Sequence, residues 1–233
     1  MVPGVSTPYA GSVNVVEPHI AHDFDTEMRA LLEGLTTMAA RCREQLHEAL
    51  DALWSGSKEK MADVEASDRA IDRDEKSVDA LVLGILARRQ PVATDLRFLT
   101  AAFKIVTDLE RIGDEAVDLA RTAFSEPPDG DASRGRLQRM AATTESMLEE
   151  ALCAFFDSDA DAAERVRRTD ASVGAMYDEV LRDAIASMSQ RSAVATSVLN
   201  SIAVAKCLER IADHAANIAQ WTGFVIGSSD MPR

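Results

Sequence analysis

Leu109-Glu110-Arg111-Ile112-Gly113-Asp114 returns 99 residues later as Leu208-Glu209-Arg210-Ile211-Ala212-Asp213. The match runs outward, with Ala116 opposite Ala215, Asp118 opposite Asn217 and Leu119 opposite Ile218. A duplicated structural unit follows. In each copy two acidic residues stand four apart, which on a helix stacks them on one face a turn apart, where like charges repel.

The flanking pattern is helical. Leu96, Leu99, Phe103, Val106, Gly113 and Val117 form a 3,4-spaced stripe into which Glu110 falls, beside a second stripe of Ile105, Leu109, Ile112 and Ala116. Glu110 therefore faces inward or sits at the rim. Val198, Ile202, Ala205, Ala212 and Ala216 repeat the arrangement around Glu209. A carboxylate there without a partner costs several kcal/mol, so a cation is expected close by. It is either an Arg or Lys from a neighbouring helix or a metal ion held by carboxylate oxygens. In a chain with 39 acidic residues such pairs are common, and the signal is their repeated context.

The 233 residues, 46% of them hydrophobic, suffice for one large or two small cores. No apolar run approaches a membrane span, and the first twenty residues lack a basic region, an apolar core and a cleavage pattern, so a cytoplasmic protein is expected. A net charge of −14 argues against nucleic acid and for cations or basic protein surfaces as partners. Cys42, Cys153 and Cys207 have no paired spacing and read as thiols of a reducing compartment. With 5% aromatic residues and few strand formers, the chain reads as all-α.

Six helices are predicted: about 23–54, 58–89, 92–124, 132–156, 160–190 and 193–226. Asp23 or Asp25 caps the first, Gly56 separates it from the second, and Pro91 stops the second. Met61, Val64, Ile71, Val78, Leu81 and Leu86 are the apolar positions of the second helix, which carries an acidic ladder, Asp68 and Asp72. Short connections make neighbouring helices antiparallel. The expected organisation is a disordered tail over 1–21, a three-helix repeat over 22–125, a linker over 126–131, a second repeat over 132–227 and a tail over 228–233. In the fifth helix Asp170 aligns with Asp68, 102 residues on, while Gly174 replaces Asp72 and Tyr177 replaces Glu75.

Arg88-Arg89-Gln90-Pro91-Val92-Ala93-Thr94-Asp95-Leu96-Arg97, the two Leu-Glu-Arg-Ile-x-Asp motifs and the helix start Phe24-Asp25-Thr26-Glu27 together resemble the PhoU family. The resemblance covers about residues 22–227. It implies two tandem three-helix repeats and repeated Glu(or Asp)-x-x-x-Asp metal motifs. Glu110 and Asp114 are the implied ligands in the first repeat and Glu209 and Asp213 in the second, with Asp118, Asp68 and Asp170 in support. The implied metal is iron, manganese, zinc or magnesium. Also implied are an accessory role with the phosphate ABC importer through its ATPase subunit, negative regulation of the phosphate-starvation response through a sensor histidine kinase, a homodimer, and membrane association only through these partners. Gly174, and Asn217 opposite Asp118, leave the second repeat with less negative charge, so weaker metal binding, or none, is expected there.

Two alternatives share the helices. A di-iron carboxylate enzyme needs Glu-x-x-His on each of two helices; Glu44-x-x-His47 supplies one. A metal-free helical adaptor would bind basic partners through the same acidic faces. No nucleotide loop, nucleophile–base pair or Gly-rich phosphate cradle is present, so catalysis is not expected. His214 neighbours Asp213 but points about 100° away around the helix and reads as a surface histidine, with the edge of a metal cluster as the alternative.

Overall fold

In a computed structural model, residues 22–122, 131–190, 195–227 and 232 are described. They form six helices: α1 (His22–Ser55), α2 (Lys58–Arg89), α3 (Ala93–Thr122), α4 (Asp131–Asp157), α5 (Ala160–Gln190) and α6 (Ala195–Val225). The all-α expectation holds, with no strand among the described residues. The tail over 1–21 and most of the linker over 126–131 lie outside the described residues, as do the start predicted for α6 and most of the tail over 228–233.

Three boundaries have a clear local cause. The Ser57 hydroxyl accepts from the Lys60 amide at 3.4 Å and opens α2. Gln90 takes a left-handed conformation, φ 46°, and closes α2 ahead of Pro91. Asp159 opens α5 by accepting from the amides of Asp161 and Ala162 at 2.9 and 3.0 Å. Helices of about thirty residues make rods about 45 Å long.

α1, α2 and α3 pack on one another, as do α4, α5 and α6, and the two units meet mainly through α3 against α6, with α1 touching α4. Buried Met28, Leu31, Leu35, Met38 and Leu46 from α1, and Leu99, Ile105, Leu109 and Ile112 from α3, fill the first unit. The duplication is visible in detail. Cys42 Sγ donates to the Leu109 carbonyl at 3.4 Å, and Thr144 Oγ1 donates to the equivalent Leu208 carbonyl at 3.4 Å.

Three expected core residues are on the surface instead. Leu96 is 46% exposed, Phe103 36% and Leu86 37%. The inner side of the α2–α3 seam is covered by α1, and α6 lies along the far flank of α3. Nothing among the described residues covers the outer side. The 3,4 stripe of α3 is thus wider than the area its neighbours can bury.

Candidate carboxylate face

That outer side carries the repeated acidic motif. Glu110 sits at the rim, its side chain 19% exposed. Its carboxyl is raised above the usual carboxylate range by burial, then by Asp114 one turn on, with Glu75 and Asp72 across the seam adding to the effect and Arg111 opposing it. The cation beside it is Arg111 of α3 itself rather than the Arg or Lys of a neighbouring helix expected from sequence, and its contacts are loose. Nε lies 3.4 Å from Glu110 Oε2, and Nη1 lies 3.4 Å from Asp114 Oδ2.

α2 supplies the facing ladder. Asp68, Asp72, Glu75 and Asp79 recur at steps of four, three and four, which keeps them along the α3 side of the helix. Burial raises the Asp68, Glu75 and Asp79 carboxyls; Asp114 and Asp72 raise Asp68 further, and Asp79 and Asp72 raise Glu75. Asp79 Oδ1 is buried without a hydrogen-bond partner among the described residues. The face therefore holds several carboxylates, of which Asp68, Glu75 and Glu110 are more costly to ionise for the charges of their neighbours.

Behind it, Gln45 of α1 is fully buried. Its Nε2 donates to the Val64 carbonyl at 3.3 Å and to Asp68 Oδ1 at 3.4 Å, while its Oε1 has no partner among the described residues. A Cβ at position 113 would stand 3.0 Å from that oxygen and 3.4 Å from Asp68 Oδ1. Glycine is what allows the amide to reach Asp68.

In the second unit Asp170, Glu209 and Asp213 come together. Burial and then Glu209 raise Asp170; burial, Glu209 and Asp170 raise Asp213. This unit brings its own cation. The Lys206 ammonium bonds Glu209 and lies 5.4 Å from the centre of the Tyr177 ring, so a lysine and an aromatic ring stand where the first unit has Thr107 and Glu75.

Asp118 stands apart from the ladder, exposed, 3.5 Å from Arg121. His214 is not a surface histidine. Its Nδ1 lies 2.9 Å from Asp108 Oδ1 at the α3–α6 interface, where Asn217 Nδ2 also donates to the same oxygen at 3.2 Å. Glu44 and His47 are exposed beside α4, and His47 Nδ1 lies 2.8 Å from Glu145 Oε1. A di-iron centre needs these groups inside the bundle, so the Glu-x-x-His spacing carries no such reading. Sequence reasoning missed Asp79, Gln45 and Lys206; the 68-72-75-79 spacing was the available signal for Asp79.

The donor set of the first face is oxygen only, which suits hard cations such as magnesium, manganese or ferrous iron better than zinc. Among the described residues no three His, Cys, Asp or Glu side chains converge closely enough to hold an ion. The chemical fit rests on the excess of carboxylates and on the unpartnered Asp79 oxygen.

Two stretches, residues 35–123 and 137–222, match the PhoU domain family model. The chain is 35% identical over 215 residues to the phosphate-specific transport system accessory protein PhoU homolog of Pseudomonas aeruginosa, covering 91% of this chain and 89% of that one. It is 30% identical over 213 residues to the accessory protein PhoU of Escherichia coli strain K12, covering 91% and 88%. The crystal structure of PhoU from Pseudomonas aeruginosa superposes with a TM-score of 0.84 at 34% identity, over 88% of this chain and all of that one. The phosphate transport system regulatory protein PhoU from Streptococcus pneumoniae gives 0.81 at 25% identity, over 90% of this chain and all of that one.

Proposed function

The chain belongs to the PhoU family, and from that premise we propose that it is an accessory and negative regulator of a phosphate-specific transport system, acting by binding other proteins. The observation that carries the reading is the pair of Glu-x-x-x-Asp motifs on equivalent seams of a duplicated bundle that shows no catalytic constellation among the described residues. An acidic helical surface works by association, so the action is stoichiometric. Its partners on this reading are the ATPase subunit of the phosphate importer and a membrane sensor kinase, met from the cytoplasmic side, and the active form is a homodimer.

The first seam is proposed to take a hard divalent cation through Glu110 and Asp114, with Asp68 and Asp72 supplying further oxygens; the ion would neutralise charges that now repel. Glu209, Asp213 and Asp170 form the weaker counterpart, because the Lys206 ammonium already satisfies Glu209.

The test is purification of the tagged full-length chain from membranes of its own host, without chelator or metal-affinity steps, followed by mass spectrometry and elemental analysis. Recovery of the importer ATPase or a sensor kinase supports the regulatory reading, and recovery of neither overturns it. Metal that is lost in the Glu110→Gln, Asp114→Asn protein supports the ligand assignment; unchanged metal content overturns that assignment alone.

A further inference from the structure

The outer α2–α3 seam has two halves of different chemistry. At the end where the carboxylates cluster it is acidic and short of cations. Beyond Asp79 the same stripe of α2 continues as Leu83, 57% exposed, and Leu86; across the seam the stripe of α3 that holds Glu110 runs back to Phe103 and Leu96. The two helices are antiparallel, so the apolar ends coincide, as do the acidic ends. The Glu65–Arg121 bridge at 3.4 Å fixes that register at the acidic end. From the level of Leu86 to that of Asp68 the strip is about 27 Å long, the rise of about eighteen helical residues.

Four large apolar side chains, Leu83, Leu86, Leu96 and Phe103, exposed on the facing stripes of two packed helices in a protein this charged call for an occupant. A second copy of the same face would place carboxylates against carboxylates in a chain of net charge −14, which disfavours self-pairing. Charge complementarity selects the opposite: an apolar segment continuing into Lys and Arg. We infer that the outer α2–α3 seam of the first unit is a docking groove for a basic amphipathic helix of a partner protein. The apolar turns of that helix lie over Leu83, Leu86 and Leu96, and its cationic turns lie over Glu110 and the α2 ladder. This is helix-in-groove recognition with an electrostatic clamp at one end. The second unit is a poorer host, because Lys206 occupies its acidic end. The inference rests on the reading above only in taking the chain to work by binding proteins; the cationic turns and the divalent cation proposed above are alternative occupants of the same carboxylates, so the groove is tested without metal.

The probe is a synthetic eighteen-residue helical peptide with leucines at 3,4 spacing in one half and arginines in the other, titrated by fluorescence anisotropy against the full chain in EDTA. The comparison peptides replace either the arginines by glutamate or the leucines by alanine. Leu83→Asp with Leu96→Asp should weaken binding about tenfold or more, while Leu199→Asp on the second unit should change it less than about twofold. Both changes are on exposed positions, and circular dichroism confirms folding. Equal binding by the Leu83→Asp, Leu96→Asp protein, equal loss in Leu199→Asp, or equal binding of the leucine-free peptide would overturn the groove. So would a wild-type dimer in sedimentation that the Leu83→Asp, Leu96→Asp change dissociates, since the occupant would then be a second copy. If the importer ATPase or sensor kinase co-purifies undiminished with the doubly substituted chain, the groove fails while the regulatory reading stands.

Discussion

Glu110 shows how far one residue's role can be read from sequence. Its place at the rim of an apolar stripe and its repulsion by Asp114 were legible from spacing; the contribution of Glu75 and Asp72 was not, because it depends on how α2 and α3 are aligned across the seam. Since the Glu110 carboxyl is raised in the folded protein, its favourable contribution is complete below the unfolded value of about 4 and is lost as pH rises through the higher folded value. In EDTA, Glu110→Gln should therefore be more stable than wild type at pH 7, by about 0.5 kcal/mol, with the advantage shrinking towards pH 4. Melting curves at several pH values check this; an advantage largest at pH 4 would contradict it. Gly113 gives a second case. Gly→Ala inside a helix ordinarily gains about 1 kcal/mol, but here the new methyl meets Gln45 Oε1 at 3.0 Å. Gly113→Ala should instead destabilise by about 1 kcal/mol in urea titrations. Adding Gln45→Met, which with Gly113→Ala gives the residues at the corresponding positions of the second unit, Met147 and Ala212, should recover the loss.

Elements were the most legible scale. The bounds of α2 and α5 are those the sequence predicts, because each opens on a capping side chain and α2 closes ahead of a proline. Asp159, which holds two amides of the first turn of α5, should cost about 1 kcal/mol when changed to Ala, measured by chemical denaturation. The misreading at this scale concerns Leu96 and Phe103. Helical periodicity reports which residues share a face, and it cannot report where a neighbouring helix stops covering that face. α3 has α1 and α2 on one side and α6 on the other, and its outermost apolar residues fall beyond all three.

At the scale of the whole molecule, the repeat was evident in the sequence and the joint between repeats was not. α3 and α6 pack on each other through two polar clusters: Asp108 with His214 and Asn217, and Glu115 with Arg210 at 2.9 Å. Positions 108 and 115 of α3 correspond to Cys207 and His214 of α6, so each cluster is the divergent image of the other. That divergence hid the joint from sequence reasoning, since neither pair repeats as a motif. Burial and then Glu115 push the Cys207 thiol up to about 12, which keeps it protonated beside the carboxylate. Arg210→Ala leaves Glu115, 13% exposed, with the thiol and no cation at 2.9 Å; because Arg210 itself is half exposed, the expected loss is about 1 kcal/mol. Calorimetry should still show one transition, because α3 and α6 belong to one continuous core.

The regulatory role is tested most directly by transcription from a phosphate-starvation promoter in the native host at high phosphate, with the importer intact. Deleting the chain should switch the promoter on, and graded re-expression should restore repression in proportion to the amount of protein. A deletion strain that keeps full repression at high phosphate would contradict the role assigned here.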